Sequence, residues 1–308
     1  MTEFELQLGL DYEVADKATL ILNIAPARTA AQIVTGESLS LFGAEHSDWY
    51  TDRLNANRFL RINAGKGELS IEYACRIALA ADFTPIEQLG ERSVADLPVD
   101  TVRFLLPSRY CQSDRLGEFA QAEFGKLPPG HVRVMAVRDW VRKHVRFQSG
   151  FTNPSTSAVD TLVDRRGVCR DFAHLMIGLC RALSIPARFV AGIDYSDGPR
   201  DDPMDFHAYV ECWLGERWYL FDPTGLCAVT DLIRIGTGRD AADVAFASIF
   251  GAVKCAAPRV EMRRVAGTTP VPLPPTHGAS TSIHALGDLG QDVEAARPVR
   301  LMPGAIAA

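Results

Sequence analysis

Through residues 4–14, FELQLGLDYEV, apolar and polar side chains alternate, which is the period of a strand with one buried face. ATLILNI at 18–24 is a continuous apolar run, and FLRINAGKGELSIEYACRIAL at 59–79 reads as two strands around a Gly-Lys-Gly turn. These elements predict a β-rich first domain over residues 1–100, with 83–98 as its exit segment. The period then lengthens. SDRLGEFAQAEFG (113–125) opens on a capping signal, and after the break at LPPG, HVRVMAVRDWVRKHVRF (131–147) places apolar residues at helical spacing. Two helices therefore lead into a second domain spanning 101–265.

RRGVCRDFAHLMIGLCRALSIPARF (165–189) predicts a helix that Pro186 ends, since proline disfavours helical backbone in the residue before it. Gly167 allows a tight entry and leaves Cys169 in the first turn, where free N–H groups and the positive end of the helix dipole stabilise a thiolate. A cysteine in a helix is also a small apolar filler, and Cys180, deep in the same helix, reads that way. Helical position alone leaves Cys169 open between nucleophile and filler. Asp171 reads as a partner for the dipole. His174 lies about 140° round the helix from Cys169 and reads as a hydrogen-bonded packing residue.

Downstream, PARFVAGIDYS (186–196) reads as a strand, 197–205 as a polar loop, and FHAYVECWLGERWYLFDPTG (206–225) as a hairpin turning at Gly215-Glu216. Pairing Leu214 with Arg217 puts His207 opposite Thr224 and Tyr209 opposite Asp222. His207 and Asp222 then become diagonal neighbours on one face. A slip of one residue would separate them. Singly, His207 is an edge-strand polar residue and Asp222 an Asp-Pro turn. With a first-turn cysteine, they supply the base and orienter that a thiol nucleophile requires. The other histidines, His46, His131, His144, His277 and His284, fall in loops, helices or the C-terminal stretch. Trp213, Trp218, Tyr219 and Phe221 read as sheet packing, with DLIRIG (231–236) and RVEMRRV (259–265) completing the sheet.

Composition narrows the function classes. A net charge of −6 and a pI near 5.7 over 308 residues, without a Lys/Arg run, exclude a nucleic-acid footprint. No apolar stretch reaches the ~18 residues of a membrane span, and the acidic, alternating N-terminus lacks a signal-peptide pattern. A cytoplasmic protein without a membrane partner is expected. Seven cysteines, an odd number with no C-x-x-C pair, suit free thiols in a reducing compartment. Cys169, His174 and His207 lack a fourth donor as a metal set, so no metal is expected. Residues 266–308, rich in Pro, Gly and Ala, read as a disordered tail.

The segments GVCRDFAHLMIGLCRALSIPARFVAG (167–192), HAYVECWL (207–214) and RWYLFDPTG (217–225) together resemble the transglutaminase-like superfamily, whose members share a papain-like cysteine-protease core. FLLPSRYCQSDRL (104–116) and IRIGTGRDAADVAFASIFG (233–251) are similar to the flanks of bacterial members, and residues 1–100 to their N-terminal region. The resemblance implies an α+β fold: a nucleophile helix packed on an antiparallel sheet, preceded by the β-rich domain. It implies Cys169 as nucleophile, His207 as base and Asp222 as orienter in acyl transfer on the amide bonds of a peptide or protein substrate, without a cofactor. Peptide or amide hydrolysis is the foremost expectation; transamidation of protein glutamine and a non-catalytic peptide-binding module are the alternatives. Members more often carry Trp where this chain has Tyr209, a difference expected to alter the rim of the site.

Overall fold

The computed structural model describes residues 1–195, 206–268, 272–282 and 300–302. The polar loop expected at 197–205 lies outside them. Seven strands come first: β1 (Thr2–Val14), β2 (Ala18–Leu22), β3 (Gln32–Phe42), β4 (Ala44–Thr51), β5 (Arg58–Ala64), β6 (Gly67–Leu79) and β7 (Asp82–Pro85). Helices α1 (Val99–Val102), α2 (Gly117–Phe124) and α3 (His131–His144) follow, then β8 (Arg146–Phe147), α4 (Ala158–Asp164), β9 (Arg166–Gly167) and α5 (Cys169–Ala182). The remaining strands are β10 (Ala187–Asp194), β11 (Phe206–Leu214), β12 (Arg217–Phe221), β13 (Leu232–Gly238), β14 (Ala247–Phe250), β15 (Val253–Cys255), β16 (Arg259–Arg264), β17 (His277–Ser280) and β18 (Arg300–Met302).

The alternation in β1 does what its period requires. Phe4, Leu6, Leu8, Leu10, Tyr12 and Val14 enter one core, with Leu20 and Leu22 of β2 and Leu60 and Ile62 of β5. Two sheets share this core, one ordered β15-β1-β6-β3-β18 with β16 also on β1, the other β14-β2-β5-β4. The strands flanking Gly65-Lys66-Gly67 therefore do not form a hairpin; β5 and β6 belong to different sheets.

The second core is built around α5. Every residue from Asp171 to Arg181 is buried, as expected of a helix covered on all sides. It packs against α2, α3 and α4 and against the antiparallel sheet β12-β11-β10-β13. Gly178 permits the approach, since a Cβ there would lie 2.8 Å from Leu116 Cδ1. The fold is thus α+β with a helix on an antiparallel sheet and a β-rich N-terminal region, as the sequence led one to expect. Helix α4, which the sequence reading passed over, is closed by a Ser157/Asp160 capping box.

Two expectations change. The strand at RVEMRRV does not complete the β10–β13 sheet; it pairs along β1, from Phe4 opposite Arg264 to Gly9 opposite Arg259, because its alternation delivers Val260 and Met262 to the N-terminal core. Strands β14 and β15 likewise return to the N-terminal sheets, so the chain from 101 to 265 does not keep to one body. The stretch after residue 266 is not simply a disordered tail. Strand β17 pairs with β7, β18 runs parallel to β3, and Ser280, Thr281 and Ser282 are buried. The physical reason is a demand for acceptors. Arg188 and Arg234 are buried on either side of Glu211, and one carboxylate cannot satisfy two guanidinium groups. Ser282 Oγ accepts from Arg188 at 2.8 Å, and Thr281 Oγ1 accepts from Arg234 at 3.2 Å.

Candidate active site

Helix α5 places Cys169 as its first residue, partly exposed, at the positive end of the dipole. The turn ahead of it is closed by Asp171, fully buried, whose carboxylate accepts from the Val168 N–H at 2.9 Å and from Arg170 at 3.2 Å. Asp171 is thus more than a dipole partner. Gly167 is required there, because a Cβ would stand 2.7 Å from Asp171 Cβ. The segment is further pinned by β8 and β9, with the Gln148 N–H donating to the Gly167 carbonyl at 2.9 Å.

His207 is the second residue of β11, opposite Gly192 of β10. The hairpin register is the expected one, Val210 opposite Phe221 through Leu214 opposite Arg217, turning at Gly215 with φ of +57°. The ladder ends at Phe221, yet the chain continues close enough for His207 Nε2 to lie 3.4 Å from Asp222 Oδ1 and 3.5 Å from Thr224 Oγ1. Asp222 is buried and accepts from the Thr224 N–H at 2.8 Å, the Thr224 hydroxyl at 2.7 Å and the Cys227 N–H at 2.9 Å.

On its other approaches the His207 ring meets the thiols of Cys169 and Cys227. Burial alone would disfavour charge on the imidazole. The Asp222 carboxylate and then the two sulfurs outweigh it, and the pKa of His207 rises from 6.5 to about 12. Burial would raise Asp222 in turn, but its bonds to His207 and Thr224 hold it below the ordinary 3.8. Burial pushes the Cys227 thiol up, against the pull of His207.

Tyr209 is fully buried and sets its ring edge-on to His207, with centroids 4.8 Å apart and planes at 79°. Where the sequence suggested a change at the rim, the tyrosine is a floor beneath the imidazole. His174 is distant from this chemistry in function. It is buried, accepts from the Ala241 N–H at 3.2 Å, and stacks on Tyr110 at 4.9 Å. Cys180 lies in the core, its sulfur 3.8 Å from that of Cys212. Trp213 and Trp218 pack with Phe104, as sheet aromatics should.

The structure adds three groups. Thr224 was visible in the sequence as the register partner of His207, though only the structure shows its hydroxyl bracing Asp222. Asp194, which ends β10, and Cys227, on the loop after Asp222, carried no local signal; both depend on how non-adjacent segments converge. Carboxylate, imidazole and thiol donor atoms of Asp194, His207 and Cys227 lie within 4.8 Å of one another.

Residues 119–223 match the transglutaminase-like superfamily, and residues 2–100 match the N-terminal domain of bacterial transglutaminases. A solved structure from Cytophaga hutchinsonii, provisionally named a cysteine protease, is 38% identical, covers 91% of this chain and 98% of its own, and superposes with a TM-score of 0.85. An uncharacterised protein of Mycobacterium leprae is 37% identical over 119 residues, 36% of this chain and 42% of the relative. One from Mycobacterium bovis is 32% identical over 146 residues, 43% of this chain and 46% of the relative. The match spans less than half the length of these mycobacterial relatives. A helix-on-sheet core that faces a first-turn cysteine toward a strand histidine defines a papain-like architecture. The chain belongs to the transglutaminase-like superfamily.

Proposed function

We propose that the protein is a thiol-dependent acyl-transfer enzyme acting on amide bonds of peptides or proteins, with hydrolysis as its principal outcome. The observation that carries this reading is the convergence of Cys169, at the start of α5, on an imidazole that Asp222 holds charged. The Cys169 thiolate attacks the amide carbon; a C–S bond forms and the carbonyl electron pair moves to oxygen. The Cys169 backbone N–H, at the first position of the helix where no intrahelical acceptor is available, serves as an oxyanion donor. Collapse breaks the C–N bond as the His207 imidazolium gives its proton to the leaving amine. Water then attacks the thioester, His207 takes a proton from it, and the acid leaves with the thiolate restored. Asp222 fixes the ring orientation and stabilises its charged form throughout.

Transamidation uses the same groups with an amine in place of water. The likeness to a chain provisionally named a protease favours hydrolysis, whereas the N-terminal match to bacterial transglutaminases keeps the amine route as the second reading. Mass-spectrometric screening of peptide and amide libraries, with and without a primary amine, separates them when wild type is compared with Cys169→Ala. Cleavage products that vanish in the variant are expected. Amine adducts in excess of cleavage products would move the assignment to transamidation, and binding without turnover would make the chain a peptide-binding module.

A further inference from the structure

Beside the Cys169, His207 and Asp222 group lies a second constellation whose other members have no task in acyl transfer. A carboxylate oxygen of Asp194, a ring nitrogen of His207 and the Cys227 sulfur all fall within 4.8 Å of one another. Tetrahedral zinc holds such ligands at about 2.0–2.3 Å, which sets them roughly 3.5 Å apart. A pair at that limit needs to close by about 1.3 Å to reach coordination distance. Cys227 is half-buried on the loop after Asp222, outside any paired strand, so the approach falls to its side chain; Asp194 and His207 are fixed by paired strands.

The donor types select the ion. Magnesium and calcium take oxygen ligands, whereas a thiolate, an imidazole and a carboxylate together suit zinc. A second observation points the same way. The Tyr209 hydroxyl is wholly buried and, among the described residues, lacks a hydrogen-bond partner of good geometry, although it stands beside Cys227 and Asp194. Zinc bound by three protein ligands retains a fourth position for water, and such a water is the kind of partner this hydroxyl lacks.

We propose that Asp194, His207 and Cys227 form a zinc site that, when filled, withdraws His207 from Cys169 and halts acyl transfer. Binding replaces the thiol proton of Cys227 with a zinc–sulfur bond and the proton on one ring nitrogen of His207 with a zinc–nitrogen bond, both protons being released to solvent; no electron changes hands. The inhibitory half of the proposal rests on the acyl-transfer reading above. The binding half does not.

The test uses the full chain as wild type, Cys169→Ala, Asp194→Asn and Cys227→Ser, titrated with zinc against a chromogenic chelator and, separately, with cobalt(II). Wild type and Cys169→Ala are expected to bind one equivalent and to show a thiolate-to-cobalt charge-transfer band. Asp194→Asn and Cys227→Ser should each lose at least about ten-fold in affinity, and Cys227→Ser should lose the band. Loss of zinc in Cys169→Ala, or unchanged binding in Cys227→Ser, would overturn the site. A third measurement holds even if a substituted chain folds poorly. In Cys169→Ala, zinc should protect Cys227 but not the exposed Cys255 from iodoacetamide, and equal labelling with and without zinc contradicts the proposal. Inactivity of wild type toward every amide would count against the acyl-transfer reading while leaving these binding results to decide the metal site.

Discussion

Asp222 and His207 stand fifteen residues apart in the chain and meet at 3.4 Å across the open end of a β-hairpin. The carboxylate that reaches the imidazole is itself held by two backbone N–H groups and one hydroxyl. It is therefore an oriented acceptor and not a mobile counter-ion. Asp222→Asn keeps the shape and removes the charge. Its kcat should fall by up to about 10⁴-fold, as when the orienting carboxylate of a triad is neutralised, with a far smaller change in KM.

The same substitution should move the pH profile. His207 is raised from 6.5 to about 12, first by Asp222 against the effect of burial, so the charged imidazole persists well into the alkaline range. Activity that needs imidazolium is lost as pH rises through that raised pKa. Removing Asp222 lowers it, and the alkaline limb should shift toward neutrality. A stability effect follows with the same sign. The contribution of charged His207 is fully present below 6.5 and declines as pH climbs toward about 12. Thermal melts of wild type across that window should show a decline that His207→Asn lacks.

Thr224 acts through Asp222. Its hydroxyl donates to Asp222 Oδ1 at 2.7 Å, so Thr224→Val loosens the carboxylate without touching substrate. Steady-state kinetics should show kcat reduced by roughly 10- to 100-fold with KM little changed. Thr224→Ser, which restores the hydroxyl, should recover most of it.

How far the sequence reached follows from what each feature depends on. The first-turn position of Cys169 and the pairing of His207 with Asp222 were legible because a proline-terminated helix and a two-residue hairpin are local rules, and the register from Leu214 opposite Arg217 carries without a bulge to Val210 opposite Phe221; the roles of the three residues came only with the family resemblance. Strand β16 was readable as a strand but not in its partner, since an alternating pattern states which face is buried and not against which sheet. The ordering of Thr281 and Ser282 was hidden in a Pro- and Gly-rich stretch. Its cause, the acceptor deficit of Arg188 and Arg234, lies about ninety residues and about fifty residues away respectively. The rim expectation at Tyr209 rested on a difference from the family pattern, which marks a changed side chain but not the depth at which it is buried.

Glu211 bridges Arg188 and Arg234 with no exposure, and those two cations hold it down to about 2 despite burial. Glu211→Gln leaves two buried guanidinium groups short of their charge partner. Denaturant unfolding should register a loss of about 3–5 kcal/mol. A loss below about 1 kcal/mol would mean that Thr281 and Ser282 suffice as acceptors.

Gly167→Ala should disturb the entry to α5. Its new Cβ would meet Asp171 at 2.7 Å, and the carboxylate that closes the turn would have to move. A destabilisation of about 1–3 kcal/mol is expected by denaturant titration, together with reduced alkylation of Cys169.

The most direct measurement is the rate at which Cys169 is alkylated. Cys255 is exposed on β15, which pairs with β1 in the N-terminal sheet, so it serves as an internal standard in the same chain. With iodoacetamide at neutral pH and peptide-level mass spectrometry, Cys169 should react several-fold faster than Cys255, and His207→Ala should abolish that advantage. Labelling of Cys169 at or below the rate of Cys255, or a fast rate that survives loss of His207, would contradict a thiol activated by this histidine.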